Sequence, residues 1–374
     1  MKVLYLTNLS SPYRVDFFNL LSKYCDLTVL FERKIAGNRN DEWYNNTFDF
    51  NGIFLKSRNI GNEASISFEV IKYLKQKYDL IILGGYSTPT AMIASMYMKV
   101  HKISYVLNAD GGFINYDEGK VIKFIKTFFI SSAKYWLSSG KETNKYLIYY
   151  GAKKNRIYDY PFTSLKAIDI LNEPVLKTEK EKLKREFGVP YNKVMLSIGQ
   201  FIPRKGFDWM IESYRDLNRD IGIYIIGGKP TKEYLNLKRK YKMDNLHFID
   251  FQDKEVIKKW YQLADIFVLP TREDIWGLVV NEAMAQGLPV ITTDKCIAGL
   301  ELIDNGENGY IVKCEIEKEL FNITNKIINV NEIQYEKLSI SAIQSIKNST
   351  IENMVEKHLF IINDIIDQNK TEEV

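Results

Sequence analysis

DIFVLPTREDIWGLVVNEAMAQGLPVITT, residues 265–293, reads as one complete strand, loop, helix and strand. DIFVLP and PVITT are short apolar runs of the kind buried on both faces of a sheet. LVVNEAMAQGL is long enough for a helix starting near Leu278, and TREDIWG is the loop leaving the C-terminal end of the first strand. A crossover of this kind joins parallel strands, and open parallel sheets bind ligands at the C-terminal ends of their strands. Asp274 in the loop and Glu282 early in the helix, with seven residues between them, can therefore face one mouth. Gly277 lets the backbone approach a ligand, and the free N–H groups of the helix start suit an anion. Carboxylates beside backbone donors would repel a bare phosphate. A nucleotide sugar fits better, because its hydroxyls donate to the acids while its phosphates take the N–H groups and cations.

The same alternation runs through the chain. VLYLT, LTVLF, LIILGG and ISYVLNA read as strands in the first half, with RVDFFNLLSKY, SFEVIKYLKQKY and TAMIASMYMKV as intervening helices. Ser10 or Ser11 can cap the first of these, with Pro12 in its first turn. VMLSIGQ, IGIYIIGG, LHFIDF, DIFVLP and PVITT form a second series. The polar stretch from about Leu165 to Glu186 separates the two. At 374 residues the chain exceeds one comfortable core. The expected architecture is α/β with two Rossmann-like domains, residues 1–165 and 166–352, and a helix over 353–374 packing back on the first.

A net charge of +4 is too small to call for nucleic acid. Hydrophobic and charged fractions of 45% and 26% belong to an ordered globular chain. Three scattered cysteines have neither disulfide nor zinc spacing and fit a reducing cytoplasm. The N-terminal apolar run is too short for a signal segment or a span.

SIGQFIPRKGFDWMI supplies the positive charge: Arg204 and Lys205 stand just after the strand VMLSIG and can neutralise a leaving diphosphate. There is no Asp-x-Asp pair in the sequence, which argues for chemistry that requires no metal. Phe251, which ends LHFIDF, and Gln252 after it lie where a nucleotide base could rest. In the first half, Ser11 and Arg14 follow the first strand and can face an acceptor. GKVIKFIKTFFISSAKYWLSSGK mixes lysines with Ile and Phe on an expected helix, a pattern suited to an anionic membrane surface.

GQFIPRKGF, EDIWGLVVNEAMAQGLPV and IDNGENGYIV together resemble the retaining glycosyltransferases of family four, which have the GT-B fold. YYGA and YPFTSL look like its bacterial capsular and exopolysaccharide branch. The resemblance implies two acids flanking a Phe-Gly or Trp-Gly pair, the first on donor-sugar hydroxyls and the second on the nucleotide ribose. By position these are Asp274 and Glu282, flanking Trp276 and Gly277, with the backbone at Gly277 and Leu278 on the diphosphate or sugar. The first acid is a glutamate in the family. Here it is one methylene shorter, so either Asp274 binds through an adjusted loop or Glu273 takes its place. Gln200 stands where the family often has arginine, which leaves Arg204 and Lys205 as the main diphosphate partners. VLNADGGFI has Asn108, Ala109 and Asp110 where related enzymes place a histidine. His101, His247 and His358 lie elsewhere in the sequence, so Asp110 becomes the candidate to face the reacting sugar.

The expectation is a cytoplasmic, peripheral membrane enzyme that moves a hexose from a UDP- or GDP-sugar, without cofactor or metal, onto a glycan or lipid-linked glycan. A nucleotide-sugar epimerase and an inactive homologue stabilising a partner transferase are the alternatives. No G-x-G-x-x-G follows the first strand, which makes a dinucleotide oxidoreductase the weaker reading.

Overall fold

The computed structural model describes residues 1–34, 47–60 and 64–372. The chain folds as two units, Met1–Ser164 with Ser349–Val374, and Leu165–Asn348.

Unit 1 carries the strands β1 (Lys2–Leu9), β2 (Asp26–Arg33), β3 (Asn51–Phe54), β4 (Arg58–Ile60), β5 (Ala64–Ile66), β6 (Leu80–Leu83), β7 (Val106–Ala109), β8 (Tyr135–Ser138) and β9 (Ile157–Asp159). Its helices are α1 (Pro12–Leu21), α2 (Val70–Leu74), α3 (Pro89–Val100), α4 (Lys120–Ile130) and α5 (Lys141–Tyr149). Seven strands form one sheet in the order β3-β2-β1-β6-β7-β8-β9, and β4 and β5 make a separate antiparallel hairpin. Every pair in the seven-stranded sheet is parallel. Each residue of LIIL in β6 and YWLS in β8 is buried, as helices on both sheet faces require.

Unit 2 contains α6 (Lys177–Glu186), β10 (Lys193–Ile198), α7 (Phe207–Ser213), β11 (Ile221–Ile226), α8 (Lys232–Lys240), β12 (Leu246–Ile249), α9 (Lys254–Leu263), β13 (Ile266–Leu269), α10 (Leu278–Ala285), β14 (Val290–Thr293), α11 (Ile297–Leu302), β15 (Gly309–Val312), α12 (Glu317–Ile328) and α13 (Glu332–Ile346). Its parallel sheet has the order β12-β11-β10-β13-β14-β15. That is the doubly wound Rossmann arrangement, with its switch point between β10 and β13. One face is filled by Met195, Phe207, Trp209, Met210, Tyr214 and Ile223.

The last helix, α14 (Ile351–Glu372), belongs to unit 1 and packs on α1. Tyr158 OH donates to Asp364 Oδ2 at 2.7 Å, and Lys134 Nζ to Asn369 Oδ1 at 2.6 Å.

Three local expectations are corrected. The expected helix over SFEVIKYLKQKY shrinks to α2, because the residues just before it, Ala64–Ile66, pair with β4 and a turn at Phe68 and Glu69 intervenes. GKVIKFIKTFFISSAKYWLSSGK is not one helix: α4 stops at Ile130, and YWLS becomes the wholly buried β8. Aromatic residues flanked by Ser-Ser and Ser-Ser-Gly have the composition of a core strand. Ser11 is the N-cap of α1, with Pro12 at the first helical position, but its hydroxyl makes no capping bond. Among the described residues no helix is long and apolar enough to cross a membrane.

Candidate functional site

At the switch point of unit 2, the loops leaving β10 and β13 are neighbours. Arg272 N donates to Arg204 O at 2.8 Å, Thr271 Oγ1 to the same carbonyl at 2.9 Å, and Trp209 Nε1 to Pro270 O at 2.8 Å. Arg272 acts as a strut. Its guanidinium grips Asp208 through two bonds of 2.8 and 2.7 Å, and it also reaches Pro203 O and Glu315 Oε1, each at 2.6 Å. Such a planar fork fixes geometry as well as charge. Asp208 first, and Glu315 after it, hold this guanidinium above its ordinary range, outweighing burial. Gly206 has φ +71°, and a Cβ there would fall 2.0 Å from Pro270 O, so only glycine permits this approach.

The two loops bring the predicted cations and the first acid together. Lys205 Nζ lies 2.6 Å from Asp274 Oδ2, with both side chains largely buried, and Arg204 Nη1 lies 3.6 Å from Asp274 Oδ1. Arg204 also donates to the Glu273 carbonyl at 2.8 Å. Of the two adjacent acids, Asp274 is the one whose carboxylate joins the cluster. Its backbone is fixed on both sides, accepting from Ile297 N at 3.2 Å and donating to Lys295 O at 2.8 Å. The Cys296 thiol beside it is pushed up to about 12, by burial and then by the charge of Asp274. Gly277 caps α10 at φ +98°, where a Cβ would stand 2.7 Å from Cys296 Sγ.

Leu278 begins α10, and Glu282 follows one turn later on the same side of the helix. Tyr261 OH donates to Glu282 Oε2 at 3.1 Å. Burial, and then the Glu282 charge, pushes this phenol well above its usual range, so it remains a hydrogen-bond donor. The ring of Trp276 is buried, and its Nε1 donates to Asn281 Oδ1 at 2.9 Å. Gln200 is half-buried one residue beyond Gly199. Phe251 is exposed just past β12, with its ring against Gly228.

In unit 1, Asp110 follows β7 and is ion-paired with Arg14 of α1. The candidate acid and the candidate acceptor cation are therefore partners, and Arg14 is not an independent solvated charge. Asn108 Nδ2 and Tyr160 OH each donate to Asp110 Oδ1 at 2.8 Å. Burial works against the Arg14 charge, yet Asp110, together with the tyrosines Tyr13, Tyr5 and Tyr160, outweighs it and holds the guanidinium well above its usual range. Ser11 is buried at the start of the same helix. The structure also brings in a histidine that the sequence placed elsewhere. His358 of α14 is buried, its ring centroid 4.6 Å from that of Tyr160 and 4.7 Å from that of Phe17. Its Nδ1 donates to Met354 O at 2.7 Å. Burial lowers its pKa to about 4, so it is neutral at pH 7. His247, by contrast, sits in β12 with Nε2 2.9 Å from Tyr191 OH.

Sequence reading missed Arg272, Tyr261, Tyr160 and His358. The first two lie one residue or one helix from residues it named. The last two come from segments about two hundred residues apart, after β9 and in α14, that only the fold brings together.

Residues 179–345 match the family described as glycosyl transferases group 1. An uncharacterized glycosyltransferase of Haemophilus influenzae is 27% identical over 207 residues, 54% of this chain and 56% of that protein. The O-antigen biosynthesis glycosyltransferase WclY of Escherichia coli is 31% identical over 166 residues, 43% of each. The aligned stretches thus span about half, or less, of these relatives' own length. Among solved structures, sucrose-phosphate synthase from Thermosynechococcus elongatus superposes with a TM-score of 0.77 at 15% identity, covering 98% of this chain and 100% of that one. Anabaena HepE in complex with UDP-glucose gives 0.74 at 16% identity, covering 100% of both chains. The likeness to these structures extends over both units, so the chain has the GT-B fold, and its residues 179–345 are similar to the glycosyl transferases group 1 family.

Proposed function

We propose that this chain is a retaining, metal-independent hexosyltransferase. It takes a sugar from a UDP- or GDP-sugar and places it on a glycan acceptor, lipid-linked, in the synthesis of a capsular or other cell-surface polysaccharide. It works as a cytoplasmic, peripheral protein at the inner face of the membrane. The observation that carries this reading is the Lys205–Asp274 pair, with Arg204 beside it, at the C-terminal end of the unit 2 sheet. Lys205 and Arg204 stabilise the departing diphosphate, and Asp274 and Glu282 accept from sugar and ribose hydroxyls. Gln200 and the backbone at Gly277 and Leu278 add neutral donors to the diphosphate, and Phe251 offers a face to the base. Retention follows if the leaving β-phosphate oxygen takes the acceptor's proton while the new glycosidic bond forms on the face that the diphosphate leaves. No covalent intermediate on the protein is then needed. Asp110 holds the acceptor side, with its charge balanced by Arg14, and Ser11 stands at the start of the helix that carries Arg14. The UDP-glucose complex of the Anabaena structure favours a UDP-hexose, and the O-antigen role in WclY's name favours a surface glycan.

A thermal-shift panel of UDP- and GDP-hexoses tests the donor site. At a hundredfold excess over Kd, a true donor stabilises by about 2.7 kcal/mol, or roughly 5–10 °C for a domain of this size. One nucleotide class should raise the melting temperature, and both Lys205→Ala and Glu282→Ala should abolish the rise. An unchanged response in both variants refutes the site. Release of an isomerised nucleotide sugar with no glycan product would replace transfer by epimerisation.

A further inference from the structure

The C-terminal edge of the unit 1 sheet holds a polar recess apart from the Asp110 cluster. It lies between the ends of β2, β1 and β6, which are neighbours in the sheet, and the start of α3. Glu32, near the end of β2, supplies a carboxylate and is only 2% exposed. Thr88 Oγ1, at the N-cap of α3, donates to Glu32 Oε1 at 2.6 Å, and Ser65 Oγ to its Oε2 at 3.4 Å. The Thr88 hydroxyl also accepts from Ala91 N at 3.1 Å, so one group both caps the helix and fixes the acid. Asn8, near the end of β1, accepts from Arg33 Nε at 3.0 Å. Ser87 is exposed at the rim, and Leu6 and Leu83 give the recess an apolar wall. On the side of Gly85 it is open, with nothing within 4 Å of where a Cβ would stand.

This lining selects a ligand by its chemistry. A carboxylate offers about four acceptor positions, more than the neighbouring hydroxyls of Thr88, Ser65 and Thr90 fill. Burial raises the Glu32 carboxyl above its ordinary range, and Thr88, Ser65 and then Arg33 pull it back. Among the described residues no lysine or arginine lines the recess, so a phosphate or carboxylate guest would meet only the repulsion of Glu32. A bare ammonium would use the acid and leave the apolar wall wet. A sugar answers both: its hydroxyls donate to Glu32 and accept from the Asn8 amide and the Ser87 hydroxyl, while its C–H groups cover Leu6 and Leu83. The volume, about 110 Å³, suits one sugar residue and falls well below the roughly 300–1,000 Å³ of sites that enclose drug-sized ligands or cofactors.

The position in the sheet gives this a consequence. β2, β1, β6 and β7 are consecutive, so at about 4.8 Å per strand the recess, centred near the end of β1, stands about 10 Å from the end of β7, which Asp110 follows. A single hexose does not span that distance, whereas a chain of sugars does. We propose that the recess is a second carbohydrate subsite, in which Glu32, with Asn8 and Ser87, takes the hydroxyls of a sugar residue set back from the one at Asp110. The acceptor is then an oligosaccharide, and the enzyme lengthens a glycan that earlier glycosyl transfers have begun. This last step rests on the acceptor role given to Asp110 above; the subsite itself is measured without it.

The test is saturation-transfer NMR of the full chain with methyl glycosides of glucose, galactose, mannose, N-acetylglucosamine and rhamnose. At least one should give a saturable signal. Glu32→Gln should lower its affinity by about tenfold or more. Ser87→Trp, a change at the exposed rim that fills the mouth, should abolish it while keeping the wild-type melting temperature. Lys205→Ala should leave it intact. No signal from any glycoside, or a signal that survives either Glu32→Gln or Ser87→Trp at full strength, overturns the proposal. So does a signal lost in Lys205→Ala, which would put the sugar in the donor site. Methyl disaccharides should bind more tightly than the matching monosaccharides, and equal affinity refutes the extended acceptor. A missing sugar signal with an intact nucleotide thermal shift refutes only the subsite; a sugar signal without any nucleotide response refutes only the transferase reading.

Discussion

His358 gives a prediction whose size follows from the structure. Its imidazole is buried between Phe17 and Tyr160 and its pKa is lowered to about 4, against about 6.5 in an unfolded chain. The proton is therefore bound more readily by the unfolded state. His358's contribution is complete above pH 6.5 and is lost as the pH falls through the window from 6.5 to about 4. Taking the part of that window down to pH 5, about 1.5 units at 1.36 kcal/mol each is about 2 kcal/mol withdrawn from unit 1. Carboxylates titrate over the same range, so the measurement is a difference. His358→Phe keeps an aromatic ring against Phe17 and Tyr160 and loses only the bond from Nδ1 to Met354 O, about 1 kcal/mol at pH 7. Urea-unfolding curves of both proteins at pH 7 and pH 5 should show the wild type losing about 2 kcal/mol more than the variant. Parallel losses, within about 0.5 kcal/mol, would refute the reasoning, because the native state would then take up the proton as easily as the unfolded chain does.

Two further outcomes are expected. Gly277→Ala forces a side chain into a left-handed backbone and against Cys296 Sγ; it should cost roughly 1–2 kcal/mol and abolish the nucleotide-induced thermal shift, with Cys296→Ala restoring only part of the stability. Arg14→Met leaves the Asp110 carboxylate largely buried with two neutral donors and should cost about 3 kcal/mol, whereas Arg14→Met with Asp110→Asn should cost clearly less, as equilibrium unfolding of both variants would show.

The fold was legible where the period of the chain was clean. Runs such as LIIL and IYII, short and rich in β-branched residues, read as buried parallel strands, and the crossover around Gly277 announces its own loop and helix start. The α4–β8 stretch was harder, since FFISSAKYWLS is apolar throughout and periodicity alone does not separate a helix from a core strand. In the site, Asp274, Lys205 and Arg204 were readable because they sit in loops at strand ends. Their direct pairing was not, because it depends on β10 and β13 being neighbours, a long-range fact. The Asp110 cluster shows the same limit. Arg14, Asn108, Tyr160 and His358 come from four separated segments, and nothing local in any of them signals the others. The bond from the Trp276 indole to Asn281 was likewise not legible, because it depends on how the loop folds onto the first turn of α10.

Unit 1 is built from both ends of the chain, with Ser349–Val374 completing what Met1–Ser164 begins. During synthesis its first 164 residues must wait, with the surface of α1 that α14 will occupy still bare, until all of unit 2 has been made. Unit 2, whose residues are contiguous, can finish first. A ribosome stalled within the last helix would thus release a chain with one completed nucleotide-type fold and one whose core lacks its seal, and such chains are the ones that chaperones and proteases would find.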